Sequence, residues 1–114
     1  FMVETTNDEI FGGLMSRLIL GTNKNGENPE FLYLISILPN RNIYEVEEKQ
    51  ETSTVLADDQ QFLFGIGDHG STLRLDSSLN HGYNYEAKIF KSPILTKDKS
   101  GEYTIKHFEV YTLN

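Results

Sequence analysis

Short apolar segments alternate with turn-forming residues along the chain. Residues 31–38 (FLYLISIL) are apolar at both alternating positions and end at Pro39, which is typical of a central strand covered on both faces. Residues 42–46 follow at once and suit the partner strand of a hairpin. No segment keeps an apolar face at helical spacing for the roughly ten residues that a helix needs. The pattern therefore predicts a sheet.

Other parts of the chain carry further strand and turn signals. Short strands are expected at residues 10–15, 62–64, 73–75 and 103–110. Turns or loops are expected at residues 23–29, 47–52 and 97–101, which are rich in Asn, Gly or charged side chains. We expect one domain over residues 1–114 with an all-β fold and a minor helical contribution, built as a two-sheet antiparallel β-sandwich.

The last apolar segment changes phase along its length. Tyr103 and Ile105 alternate with polar residues, but Phe108 and Val110 then occupy the opposite parity. A shift of one residue moves side chains to the other face of a sheet. The change therefore predicts a β-bulge, or a strand that passes from one sheet to another, near His107.

The charge and composition exclude several kinds of partner. The chain has Lys+Arg 10 against Asp+Glu 17 and a formal net charge of −7, which repels nucleic acid and anionic lipid. This charge either serves only to keep the protein soluble, the simpler interpretation, or favours a basic protein surface as partner. There is no Cys, so disulfides, Cys-ligated zinc and a thiol nucleophile are excluded, and a reducing compartment, the cytoplasm, is expected. The longest apolar stretch is far shorter than the about 18 residues of a membrane-spanning helix, so no membrane insertion is expected.

One glycine-rich segment has the form of a nucleotide-binding motif. Residues 65–70 (GIGDHG) satisfy G-x-G-x-x-G and follow a predicted strand. Nucleotide binding requires a helix to begin at the loop, so that free backbone N–H groups meet the pyrophosphate. Residues 71–76 instead alternate like a strand. The motif therefore indicates a tight turn, in which glycines adopt positive φ or allow close packing, and we predict no cofactor.

Few carboxylates are candidates for a chemical role. Asp68 and Asp76 flank a predicted strand and with Asn80 could approach a hard cation, but turn caps explain all three more simply. The three histidines lack the spacing of a local metal pair, so we predict no metal site and no catalytic residue. Glu109 lies on an otherwise apolar strand end, where we expect a structural salt bridge or an outward-facing side chain.

Several motifs follow one another in a definite order along the chain. They are residues 10–13 (IFGG), 31–34 (FLYL), 65–70 (GIGDHG), 73–76 (LRLD), 79–82 (LNHG), 90–95 (FKSPIL) and 103–111 (YTIKHFEVY). The series resembles the TLDc domain family over most of the chain. Members of this family carry a further N-terminal portion with helical elements, which this chain is expected to lack.

The resemblance implies a β-sandwich in a cytoplasmic protein. It also implies a link to oxidative-stress resistance and to regulation of the vacuolar-type proton ATPase, by binding its peripheral sector, and it brings no settled catalytic reaction. The framework or interaction residues under this resemblance are Phe11, Gly12, Gly65, Gly67, Asp68, Asp76, Gly82, Phe90 and Glu109.

We therefore expect a non-enzymatic protein-interaction module that acts through loops at the ends of the sandwich. Two other functional classes stay open. A carboxylate-dependent hydrolase would use one of the three carboxylates Asp68, Asp76 and Glu109. A small-ligand or sugar-binding module would use an exposed polar and aromatic platform, formed by Tyr83, Asn84 and Tyr85.

Overall fold

The computed structural model of the chain describes residues 1–15, 23–27, 32–45, 55–57, 61–67, 70–86 and 90–111. Ten strands and no helix lie in these ranges. The strands are β1 (Met2–Thr5), β2 (Ile10–Met15), β3 (Asn23–Glu27), β4 (Leu32–Leu38), β5 (Asn42–Glu45), β6 (Val55–Ala57), β7 (Gln61–Gly67), β8 (Gly70–Asp76), β9 (His81–Asn84) and β10 (Glu102–Glu109). No helix that could span a membrane occurs in these ranges.

The strands form one ladder in the order β3-β6-β7-β8-β9-β10-β1-β2-β4-β5. Every described pair of neighbours is antiparallel. The all-β, antiparallel prediction is confirmed, whereas the expected minor helix is not found in the described ranges. The division into two facing sheets stays a prediction at this level.

Strand β10 joins the two halves of the ladder. Its first residues, Glu102 to Thr104, pair with β9, and the rest pair with β1. Glu4 pairs with His107 while Thr5 pairs with Ile105, so the register shifts by one residue at this point. The irregularity predicted near His107 is confirmed.

The phase prediction for the end of β10 is right for one residue and wrong for the other. Phe108 is half-buried and packs against the core, as its parity predicts. Val110 follows the end of the strand and is 54% exposed. Parity has no meaning for Val110, because the chain no longer pairs with β1 there.

Side chains from both halves of the ladder share one core. The fully or nearly buried apolar residues are Val3, Phe11, Leu32, Leu34, Phe64, Leu73, Leu75, Phe90, Leu95 and Tyr103. The Phe1 ring lies 5.3 Å from the ring of Phe64, and the Phe11 ring lies 5.0 Å from that of Tyr103, both edge to face. Aromatic pairs of this kind add to the free energy of apolar burial.

The predicted hairpin of β4 and β5 is confirmed, but β4 is not covered on both faces along its whole length. Residues Tyr33 to Ser36 pair with Asn42 to Glu45, around a cis peptide bond at Pro39. The expectation of a strand covered on both faces is wrong at its end, where Ile37 and Leu38 are 39% and 42% exposed. Among the described strands, only β5 lies beyond β4 in the ladder.

The turn predicted at residues 23–29 is wrong for residues 23–27, and residues 28 and 29 lie outside the described residues. Asn23–Glu27 forms β3, the terminal strand next to β6, with an irregular register. Strand pairing uses backbone N–H and C=O groups that every residue except Pro supplies, so a polar segment at a sheet edge can form a strand. The predicted loop at residues 47–52 lies outside the described residues.

Candidate interaction site at one end of the sheet

Three exposed loop segments come together beside the middle of β10. The amide of Thr6 donates to the carbonyl oxygen of Thr104 (2.9 Å), and the amide of Ile105 donates to the carbonyl oxygen of Asn80 (2.7 Å). The turn after β1 and the turn after β8 therefore flank β10 on its two sides. We call residues 6–8, 77–80 and 97–100 the loop surface; all of them are exposed.

The third segment is held by two contacts of Lys97. Its side-chain Nζ donates to the carbonyl oxygen of Asn7 (2.9 Å), and its backbone amide donates to Oε2 of Glu9. The next turn ends at Gly101, where φ is +80° and the amide donates to the carbonyl oxygen of Asp98 (3.1 Å). The turn predicted at residues 97–101 is confirmed.

Glu9 is the buried polar side chain beneath the loop surface. It is 1% exposed, and its Oε1 accepts a hydrogen bond from Oγ1 of Thr5 (2.6 Å). With Oε2 bound to the amide of Lys97, each carboxylate oxygen has a donor, which offsets part of the cost of burying the group. Glu9 was not predicted from the sequence, because an acidic residue between Asp8 and a strand resembles an ordinary turn residue.

Asp76 organises the turn after β8. Its Oδ1 accepts hydrogen bonds from Oγ of Ser78 (2.9 Å) and from the amides of Asn80 (3.0 Å) and His81 (3.4 Å). Desolvation alone would raise the pKa of Asp76, but these hydrogen bonds and the nearby His81 outweigh it and lower the pKa below its ordinary value. The turn-cap interpretation of Asp76 is confirmed.

The alternative of a cation site finds no further support. Asp68 lies outside the described residues. In the ranges that the structure describes, no three His, Asp or Glu side chains are grouped so that they could hold a metal ion.

Leu79 presents an apolar side chain at the tip of the same turn. Its φ is +57°, a left-handed conformation that is uncommon for a residue with a bulky side chain. The side chain is 38% exposed, and the turn is closed by the amide of Leu79, which donates to the carbonyl oxygen of Asp76 (3.0 Å). Strained backbone of this kind persists only where the surroundings hold it, and it concentrates at functional sites.

Asn84 ties β9 to the segment that leads into the loop surface. It is fully buried; its Oδ1 accepts hydrogen bonds from the amides of Leu95 and Thr96 (3.2 Å for the latter). Its Nδ2 lies 3.4 Å from the carbonyl oxygens of both Thr72 and Tyr85, a long hydrogen-bond distance. The exposed platform predicted from Tyr83, Asn84 and Tyr85 is therefore wrong for Asn84, which lies on the core side of β9.

The two tyrosines of that platform do lie together. The rings of Tyr83 and Tyr85 are stacked with centroids 6.0 Å apart, and the guanidinium of Arg74 lies 5.9 Å from the Tyr83 centroid. The Tyr83 hydroxyl donates to Oε1 of Glu102 (3.0 Å), and this hydrogen bond to an acidic group raises the pKa of Tyr83. The result is a small aromatic surface beside the loop surface, because the amide of Glu102 donates to Oγ of Ser100 (3.2 Å).

The glycine motif is a hairpin rather than a phosphate loop. β7 ends at Gly67 and β8 begins at Gly70, so a strand, not a helix, follows the motif. Gly65 has a φ of +70°, and a Cβ added there would lie 2.6 Å from Oγ1 of Thr72 and 2.7 Å from the Phe90 ring. The two predicted requirements for glycine, a positive φ and close packing, both apply to Gly65.

Four other candidate residues lie inside the framework. Phe11 and Phe90 are core residues, 0% and 2% exposed. A Cβ added to Gly12 would lie 2.0 Å from the carbonyl oxygen of Phe1, and one added to Gly82 would lie 2.3 Å from that of Arg74. These residues allow neighbouring strands and rings to approach, and they do not reach the loop surface.

Glu109 lies at the far end of β10. Its Oε1 is 2.5 Å from Nε2 of His107, and the two side chains are 43% and 58% exposed. The predicted salt bridge or outward position is confirmed, although an exposed pair of this kind contributes little stability. Thr104 lies in the same cross-strand row as Asp76, and Glu109 is about 16 Å further along β10. The structure therefore does not bring these two carboxylates together.

The chain was compared with known protein families and with curated proteins. The sequence profile of the TLDc domain matches residues 1–114. No curated protein matches the chain.

Proposed function

The chain belongs to the TLDc domain family, and from this membership we propose that it is a non-enzymatic module that binds other proteins through the loop surface. The proposed partner is the peripheral sector of the vacuolar-type proton ATPase, and the proposed role is regulation of that pump in the cytoplasm. A contribution to oxidative-stress resistance is part of the same proposal.

The exposed side chain of Leu79 is the observation that best supports the proposed binding surface. An apolar side chain held outward on a strained turn, among exposed polar residues, has the composition of an interface centre with a polar rim. Glu9 and Asp76 fix the loops around it through hydrogen bonds, so little conformational entropy is lost when a partner binds.

We also propose that the two halves of the ladder face each other as a β-sandwich. A Cβ added to Gly13 of β2 would lie 2.3 Å from the ring of Phe64 in β7, although these strands are far apart in the strand order. The Phe1 ring lies 5.3 Å from the ring of Phe62 as well. Contacts of this kind are expected where two sheets pack face to face.

Any protection against oxidants is proposed to be indirect. The chain contains no Cys, so thiol chemistry cannot scavenge peroxide within this segment. Binding to a pump that controls organelle acidity requires no redox group on the module itself. This separates the proposal from a model of direct chemical scavenging.

The test replaces the exposed apolar side chain of the loop surface. Leu79→Asp is expected to weaken binding to the purified peripheral sector at least about tenfold, the effect of losing a central interface residue. Val110→Asp is the matched control, because Val110 is also exposed but lies beyond the far end of β10. Binding is measured by biolayer interferometry, after far-UV circular dichroism has established that each variant is folded.

Two results would contradict the proposal. One is a wild-type chain that does not bind the peripheral sector. The other is a Leu79→Asp variant that binds as tightly as Val110→Asp and the wild type.

A second candidate function rests on the stacked tyrosines. The exposed face of Tyr85, which is 40% exposed, together with Arg74 and Tyr83, offers an aromatic surface for a small sugar. Titration of the chain with simple hexoses, followed by NMR, tests it. Shifts that saturate in the wild type and vanish in Tyr85→Ala would support this candidate; no shifts at millimolar sugar would exclude it.

A further inference from the structure

Strand β5 forms one end of the described ladder, with a neighbour on one side only. Ile43 and Glu45 share the outward face of β5, and Arg41, which directly precedes the strand, continues the same alternation in the sequence. All three are exposed, and Ile43 is 66% exposed, the highest value among the large apolar side chains of the described residues. A basic, an apolar and an acidic side chain thus follow one another along a sheet edge.

The direction of the backbone groups at this edge follows from the ladder. Phe1 and Gly13 exchange backbone hydrogen bonds in both directions, at 2.8 and 3.0 Å. In an antiparallel ladder the residues of one strand bond alternately to the neighbour on each side. Gly12 must therefore bond towards β4, where its partner is Ile35.

The same alternation continues across β4. Leu34 bonds towards β5, where its partner is Tyr44, so the backbone N–H and C=O of Ile43 point away from β4. One observation agrees with this directly: the amide of Ile43 donates to Oδ1 of its neighbour Asn42 (2.9 Å). The outward backbone groups of Ile43 are thus in position to pair with another strand.

We propose that this edge pairs with β5 of a second copy of the chain, antiparallel about a two-fold axis at Ile43. In that register, Ile43 of one protomer exchanges both backbone hydrogen bonds with Ile43 of its partner. Arg41 and Glu45 lie two residues on either side, so Arg41 of each protomer faces Glu45 of the other. One symmetric interface therefore contains two opposite-charge pairs around an apolar centre.

Charge at a sheet edge usually opposes pairing with other chains. Here the two-fold axis turns the charges into complementary pairs, which a strand of arbitrary sequence would not do. This self-complementarity favours a second copy as the occupant. Asn42 must release the Ile43 amide when the strands pair, so the dimer is expected to be weak and to depend on concentration.

The test exchanges the two charges separately and then mixes the products. Analytical ultracentrifugation of the full wild-type chain is expected to reveal a monomer–dimer equilibrium. Arg41→Glu alone and Glu45→Arg alone are each expected to weaken dimerisation by about tenfold or more, since both cross-strand pairs become repulsive. An equimolar mixture of the two variants is expected to form a heterodimer, because two acidic side chains of one variant then face two basic ones of the other.

Glu86→Arg is the control for net charge. Glu86 is exposed and lies outside β5, so this variant changes the total charge as Glu45→Arg does and is expected to dimerise as the wild type does. Circular dichroism establishes that the exposed substitutions leave the fold intact.

Three outcomes overturn the proposal: a wild-type chain that stays monomeric at every accessible concentration, single variants that dimerise like the wild type, or a mixture that forms no heterodimer. A monomeric wild-type chain that instead captures an extended peptide at β5 would assign the edge to a different protein.

Discussion

Glu9 joins two loops that are far apart in sequence. One carboxylate oxygen binds Thr5 on the same turn, and the other binds the amide of Lys97, 88 residues away. A buried carboxylate held this way contributes stability only while every donor remains in place. Glu9 therefore fixes the loop surface.

Replacing this carboxylate by an amide tests that role. Glu9→Gln keeps the shape but turns one accepting oxygen into a donating NH₂ group, so the hydroxyl of Thr5 or the amide of Lys97 loses its acceptor. The free energy of unfolding, measured with urea, is expected to fall by about 1–3 kcal/mol. Glu4→Gln on the neighbouring strand is the matched control and is expected to change it by less than about 0.5 kcal/mol. Equal losses in the two variants would refute the assignment.

The lowered pKa of Asp76 leads us to expect that the stability of the folded chain depends on pH. Hydrogen bonds outweigh desolvation and hold the pKa of Asp76 below its ordinary value in the folded chain. A carboxyl with a depressed folded pKa contributes stability above its unfolded pKa, and this contribution is lost as the pH falls through the folded pKa. The free energy of unfolding should therefore decrease on acidification below about pH 4.

A substitution isolates this contribution. Asp76→Asn removes the titration and is expected to make the acid decrease shallower, as measured by urea unfolding at several pH values. Some decrease remains, because a backbone hydrogen bond from Ser100 also lowers the pKa of Asp98. An unchanged slope in Asp76→Asn would contradict the assignment.

Residues were predictable where their role depends on local chemistry. Gly65 was predicted as a turn or packing residue, and Asp76 as a turn cap, because both roles follow from neighbours in sequence. Glu9 and Asn84 were not recognised, since their partners lie 88 and up to 12 residues away. A buried polar residue is identified by its burial, which depends on the folded topology.

Among the elements, the segment that leads into the loop surface has little regular structure of its own. Apart from a single bridge at Ser92, residues 90–101 contain bends and turns, and Asn84 is their main polar contact with the sheet. Such a segment opens locally more easily than a strand if its buried hydrogen bonds are removed.

Asn84→Ala is expected to loosen this segment first. Two buried amides, of Leu95 and Thr96, would lose their acceptor, so their hydrogen exchange should accelerate about tenfold or more. Asn42→Ala is the control, because Asn42 is exposed and its side chain accepts a hydrogen bond from the neighbouring amide of Ile43. Exchange that rises equally along all strands would indicate a global loss of stability and contradict the local role.

Strands were predictable where apolar residues alternate, and less so where pairing alone defines them. β4, β5, β7 and β8 were recognised from their patterns. β3 was missed because its residues are polar and only the backbone pairing with β6 makes it a strand. The position of β4 near one edge was also hidden, since a run of apolar residues does not reveal how many strands lie beyond it.

For the molecule as a whole, the order of the strands could not be predicted from local sequence patterns. β1 pairs with β10 across nearly the full length of the chain, and no feature near either strand encodes that choice. The ordered series of motifs pointed to the family, and the family match covers residues 1–114. The fold class therefore came from periodicity, whereas the proposed function rests on family membership and on the loop surface.

The loop surface is tested most directly by a hydrogen-exchange footprint of the chain bound to the peripheral sector of the vacuolar-type proton ATPase. Amides of residues 6–8, 77–80 and 97–100 are expected to become protected in the complex, while those of the β5 edge and of Tyr83 and Tyr85 do not change. Protection confined to β5 or to the tyrosines, with the loop surface unchanged, would contradict this expectation.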